Sequence, residues 1–258
     1  MMKLRNWIDE RKLCEYLNQN INAIQYLEKN PDKIHWRILS GNPAAIHILE
    51  KNINRVHWSL LSANPSAIHL LEERFTKINW DMLSENPAAI HLLEQYPDRI
   101  YWDYLCRNPA AIHLLEKNQH QINWLVLSRN EGALPLLKRN LGKVSWSMLS
   151  RNPNAISILE KNLDKVNWGM LSINPNAMHL LEKNPDKIDW YMLSANPAAI
   201  HLLEENQDKI NWRMISQNES IFEYDYKNMM RSYTEQLMEK RFHPKYIDQF
   251  ESWGFLED

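Results

Sequence analysis

A chain of 258 residues and 30.8 kDa is one large domain or two small ones, long enough to bury a core. Thirty Lys and Arg against 32 Asp and Glu leave a formal charge of −2, a poor balance for a general nucleic-acid binder, which needs surplus cations to displace counterions from phosphates. The five glycines (Gly41, Gly132, Gly142, Gly169, Gly254) stand no closer than ten residues apart, which excludes a glycine-rich phosphate loop and argues against a hairpin-rich β fold.

From the N-terminus, MMKLRNWIDERK carries charges and no apolar stretch of the secretory kind. No apolar run approaches the ~20 residues of a membrane span, so an intracellular, non-secreted setting without membrane partners is expected. Residues 6–17 read as a helix capped by Asn6, with Asp9 three residues on. Cys14 and Cys106 fall in different repeats, too far apart for a disulfide. Both are expected to be free, buried and unreactive, in a reducing compartment.

The body of the chain is periodic. Trp36, Trp58, Trp80, Trp102, Trp124, Trp146, Trp168, Trp190 and Trp212 follow one another at 22-residue intervals without a gap, the signature of stacked structural repeats. A degenerate unit, with Cys14 in the Trp slot, precedes them. Counting Trp as slot 1, slot 7 is Asn in all ten units, from Asn20 to Asn218, and slot 8 is Pro in seven. Asn followed by Pro starts a helix, because the side chain caps free N–H groups and Pro fits the first helical position. Apolar slots 10, 11, 13 and 14 give that helix one buried face. It stops at slot 17, usually Asn, a residue suited to a left-handed helix end. A shorter helix occupies slots 1 to 6, capped in six of nine cases by Asn, Asp or Ser in slot 22. Trp and the slot-4 Leu share its core face. Helices this short do not survive alone, so each unit is stabilised by its neighbours.

The unit from Trp124 to Ser145 is irregular. Pro135 takes slot 12 just after Gly132, which predicts a kinked or shortened helix over 131–138. Beyond Trp212 the pattern fades. Tyr226, Met230, Tyr233 and Leu237 mark an amphipathic helix over about 225–241, and His243-Pro244 restarts a last one ending near Gly254. The expected organisation is an N-terminal capping segment (1–13), an all-α solenoid of about ten two-helix units (14–223) and a C-terminal helical cap (224–258).

These units resemble the tandem 22-residue repeats, of the form WxxLSxNPxAIxLLExNPDKI, of proteins from large and giant DNA viruses of eukaryotes. The likeness covers roughly residues 14–223. The tail from Lys240 to Ile247, followed by Trp253-Gly254, is similar to the closing segment of many such proteins. The resemblance implies a viral protein acting in an infected cell, and brings no catalytic residue with it.

Candidate chemistry is weak. Six histidines in slot 12 (His47, His69, His91, His113, His179, His201) stand one per unit, ~9–10 Å apart at helix-packing distance. Neighbours so spaced cannot share a zinc ion at ~2.1 Å, so a hydrogen bond to the next unit or to solvent is expected. Ser in slot 5 and Glu in slot 15 recur with them, whereas a catalytic triad is built once, from unlike elements. No enzyme activity, cofactor or metal is expected. The acidic row in slot 15 and the basic row in slot 20 are positioned to pair. Trp as a base-stacking platform is less favoured than Trp as core.

Slots 2 and 6 vary freely while the slots around them repeat. Four residues apart on one helix face, they form a stripe that changes from acidic (Asp81, Glu85, Asp103) to basic (Arg107, Arg129, Arg151), with Tyr191 further along. This stripe is the candidate partner-binding surface, suited to another protein or an extended peptide. The leading expectation is a non-catalytic interaction scaffold. The alternatives are a structural virion component and sequence-tolerant nucleic-acid binding.

Overall fold

The computed structural model describes residues 2–231. The fold is an all-α tandem repeat. In a regular unit, a helix of four or five residues begins at each Trp (Trp36–Leu39, Trp58–Ser62, Trp80–Ser84). The slot-7 Asn follows, then a 3-10 turn at slots 8 to 10 (Pro43–Ala45) and a second helix from slot 11 (Ile46–Lys51). In most units a further 3-10 turn at slots 18 to 20 leads to the next Trp. The capping expected before the Trp helix is present and extends to His35 and His57, whose ring nitrogens accept from Ile38 and Leu60. Only Tyr101 supplies no side-chain cap among the nine.

The second helix ends differently from the expectation. Slot 17 is not left-handed: φ is −129° at Asn30 and Asn52 and −136° at Asn184. The Asn side chain turns back instead and donates to the carbonyl four residues earlier, as from Asn52 to Ile48 and from Asn184 to Leu180. All seven slot-17 asparagines do so.

The core is a column of three slots. Slot-4 Leu, slot-10 Ala and slot-14 Leu are fully buried in unit after unit, as at Leu61, Ala67 and Leu71. The tryptophans correct the sequence reading, since none of the nine is buried. Each packs its body against the core and in most units offers its ring to a cation. Lys165, Lys187 and Lys209 lie 4.8, 4.4 and 4.3 Å from the rings of Trp146, Trp168 and Trp190. Six slot-20 cations thus lie over their own Trp, each contact contributing about 0.5–1 kcal/mol at an exposed site. The acidic slot-15 row bonds the slot-12 histidines of the following unit, from His47–Glu28 to His179–Glu160, at 2.8–2.9 Å in five pairs.

Neighbouring units are joined through the slot-7 Asn. Asn108 accepts from Ala110 N–H through Oδ1 at 3.0 Å, capping its own helix. Its Nδ2 donates to the carbonyls of Ser84 and Asn86 in the preceding unit, both at 3.0 Å. The same pair of donations recurs at Asn42, Asn64, Asn86, Asn130, Asn152, Asn174, Asn196 and Asn218. Slot-5 Ser adds a second clasp. Ser62 Oγ donates to Trp58 O and accepts from Asn79 N–H at the start of the next unit.

The array has no free ends. Asn20, in the first unit, donates to Asn218 O at 2.8 Å and Ser216 O at 3.5 Å in the last, the contacts every other Asn makes with its predecessor. Asn22 donates to Glu219 O as Asn154 donates to Glu131 O. Ten units therefore close into a ring. The tenth is composite: Trp212–Ile221 supplies its first half and the N-terminal segment the rest. Lys12 lies 4.7 Å over Trp212 in the place of a slot-20 cation. Cys14 N–H donates to Ser216 Oγ one residue later than in regular units. Strand β1 (Met2–Leu4) pairs antiparallel with strand β2 (Phe222–Tyr224), Lys3 opposite Glu223.

Residues 6–17 are accordingly not one helix. Asp9 caps a 3-10 turn at Glu10–Lys12, and a second 3-10 helix spans Glu15–Gln19, because the segment is shaped by docking on the last unit. Cys106 is buried and Cys14 only half-buried, both free. The helix expected from 225 begins at Tyr226. Its remainder and the final helix at His243-Pro244 lie outside the described residues.

Candidate functional site

Ring closure sorts the two helix layers by radius. Trp helices and Asn turns of adjacent units pack directly on one another, whereas adjacent second helices stand further apart. In a closed ring the closer-spaced layer lies inside. The second helices, with their half-exposed His–Glu pairs, therefore form the outer wall. The Trp helices, whose Leu faces the core, turn slots 2, 3 and 6 toward the opening. Ten helices packed at ~8–10 Å, less a helix diameter of ~10–12 Å, leave an opening roughly 15–20 Å across.

The opening is lined unevenly. Slot 3 supplies a half-buried apolar row, with Met148, Met170, Met192 and Met214 consecutive. Asp81 and Asp103 are exposed in adjacent units, and Asn123 Nδ2 donates to Asp103 at 2.9 Å. The three arginines read as one row do not behave alike. Arg107 is half-buried, 3.2 Å from Glu85 and 4.8 Å over the Tyr104 ring, and its buried Nε has no partner. Arg107 and Glu85 thus neutralise each other. Arg129 and Arg151 are exposed and make no ion pair, side-chain hydrogen bond or ring contact among the described residues. Burial and the neighbouring Arg129 charge push the Arg151 guanidinium below its ordinary pKa. Leu125, beside them in slot 2, is 54% exposed. Tyr191 stands apart, in a shallow cleft of about 170 Å³ with Tyr16, Arg213, Met214 and Gln217, where the last units meet the first.

The irregular unit is only mildly disturbed: of the kink or shortening expected, it shows the shortening. Its second helix, Leu134–Lys138, starts where others start and is one residue shorter than Ile112–Lys117. The preceding 3-10 turn leaves Pro135 in the first helical turn, where a missing N–H is tolerated. Arg139 takes the absent histidine's place on Glu116. At the following joint Lys138 stands in slot 15 of this unit and Ser157 in slot 12 of the next, so acid and His are lost together.

Among the described residues no group of three or more His, Cys, Asp or Glu is placed to hold a metal ion. No helix among them is long and apolar enough to cross a membrane. Compared with protein-family models, curated proteins and solved structures, the chain matches none.

Proposed function

We propose that the protein is a non-catalytic scaffold whose ring takes a segment of another protein against its inner wall. The supporting observation is the division of labour among slots. Asn, Ser, Leu, Ala, His and Glu are consumed in joining unit to unit, while the variable slots 2 and 6 of the Trp helices remain for the inner wall. Solenoids present such surfaces to extended partners. The likeness of the repeat to those of large DNA viruses supports reading this activity as one exerted in an infected cell. A structural virion component remains the second reading of the repeat, but ring closure consumes both ends through which units would pack edge to edge.

The test is to fill the opening. Arg37→Trp with Leu125→Trp narrows it from two exposed slot-2 positions. Glu50→Ala with His69→Ala removes an outer pair. Partner capture from infected cells is expected to be lost with the first variant and kept with the second. Capture lost only with the outer variant overturns the reading.

A further inference from the structure

Resting on the inner-wall reading, we infer that the opening recognises a peptide segment bearing both charges, with carboxylates at Arg129 and Arg151 and basic side chains at Asp81 and Asp103.

Two observations carry this. Arg129 and Arg151 occupy the same slot of consecutive units, without carboxylate partners among the described residues. Most other cations of the ring are engaged, with carboxylates (Arg5, Lys33, Arg139) or with aromatic rings (Lys143, Lys165, Lys187, Lys209). Two adjacent unpaired guanidiniums repel each other, and an incoming carboxylate removes that repulsion while offering each fork an acceptor. Across the Arg107–Glu85 pair, which contributes no net charge, Asp81 and Asp103 give the neighbouring arc the opposite sign.

That alternation selects against a continuous polyanion. A nucleic-acid strand following the wall would meet two cations and then two carboxylates, whereas its affinity depends on summed phosphate neutralisation. An extended peptide places every second side chain ~6.6–6.8 Å apart on one face, within reach of long side chains on units packed ~8–10 Å apart. Leu125, exposed between the two charged arcs, offers an apolar contact within the same segment.

The probe is a fluorescein-labelled synthetic peptide with a block of glutamates followed by a block of lysines, read by anisotropy at low and moderate salt. Comparison ligands are an all-glutamate peptide and a single-stranded oligothymidylate. The two-sign peptide is expected to bind more tightly than either. Arg129→Glu with Arg151→Glu is expected to weaken it at least ~tenfold, without lowering the melting temperature, since both side chains are exposed. Adding Asp81→Lys and Asp103→Lys, which reverses the whole pattern, is expected to restore binding with the peptide in the opposite direction. Unchanged affinity in the arginine variant, or preference for the oligothymidylate, overturns the inference. If partner capture still falls with the opening-filling variant while the peptide ignores the arginines, the inner-wall reading stands and this inference fails alone.

Discussion

At the scale of single residues the repeat rests on one amide. Each slot-7 Asn is buried, Asn108 completely, and makes a cap plus two donations to the preceding unit. A cap alone contributes ~1 kcal/mol. Withdrawing the donor from two buried carbonyls adds ~1 kcal/mol or more for each. Asn108→Ala is therefore expected to cost about 3 kcal/mol in denaturant unfolding, and Asn52→Ala, which loses one half-exposed bond, about 1 kcal/mol. Equal losses would show that the inter-unit donations add nothing. The cap was legible because Asn-Pro before an apolar run has a local meaning. The donations were not, since their acceptors are backbone carbonyls 22 and 24 residues away that carry no sequence signal. The half-exposed tryptophans were misread for a related reason: periodicity marks a packing role but does not separate a ring inside the core from one lying across its edge.

At the scale of the element, the unit tolerates substitution where a neighbour compensates and resists it where backbones touch. Pro135 is the first case. Gly132 is the second. Slot 9 holds Ala at Ala44, Ala88, Ala110 and Ala198, so repeat consensus and helix propensity both favour Gly132→Ala by up to ~1 kcal/mol. The structure reverses the sign. A Cβ at Gly132 would stand 2.5 Å from Pro109 O and 3.1 Å from its Cα, and rigid backbone of the preceding unit has no rotamer with which to yield. We expect a net loss of ~1–2 kcal/mol, read as a lower melting temperature. A stabilised variant would show that the two units do not approach so closely. The composition of the candidate wall was legible from the variability of slots 2 and 6. That Arg107 is spoken for by Glu85 while Arg129 and Arg151 have no such partner among the described residues was not, because it depends on side-chain reach between units.

At the scale of the whole molecule, the sequence predicts an array with two capped ends, and the structure joins them. Closure depends on each unit turning a tenth of a circle relative to the last. No residue encodes that angle. It follows from inner contacts being shorter than outer ones, summed over ten units. The departures at the N-terminus make sense once the ends meet. Residues 2–13 read as a cap because they lack Asn-Pro and a Trp in the 22-residue register, Trp7 standing 29 residues before Trp36. They lack them because Trp212 and Asn218 already supply those parts of the composite unit. An inner wall, and any partner held on it, exists only if this joint holds.

The joint is tested most directly by a crosslink across it. Lys3 and Glu223 are register partners of the β1–β2 pair, with their side chains 3.4 Å apart. Facing residues of antiparallel strands stand ~4.5–5.5 Å apart at Cα, within disulfide range. In a chain with Cys14→Ser and Cys106→Ser, the pair Lys3→Cys and Glu223→Cys is expected to oxidise within one molecule, migrate as a compact species on a non-reducing gel and melt at higher temperature than its reduced form. A Lys3→Cys with Glu116→Cys control, five units from the joint, is expected to stay reduced or to crosslink only between molecules. If the first pair behaves like the control, the chain is an open array and the account fails.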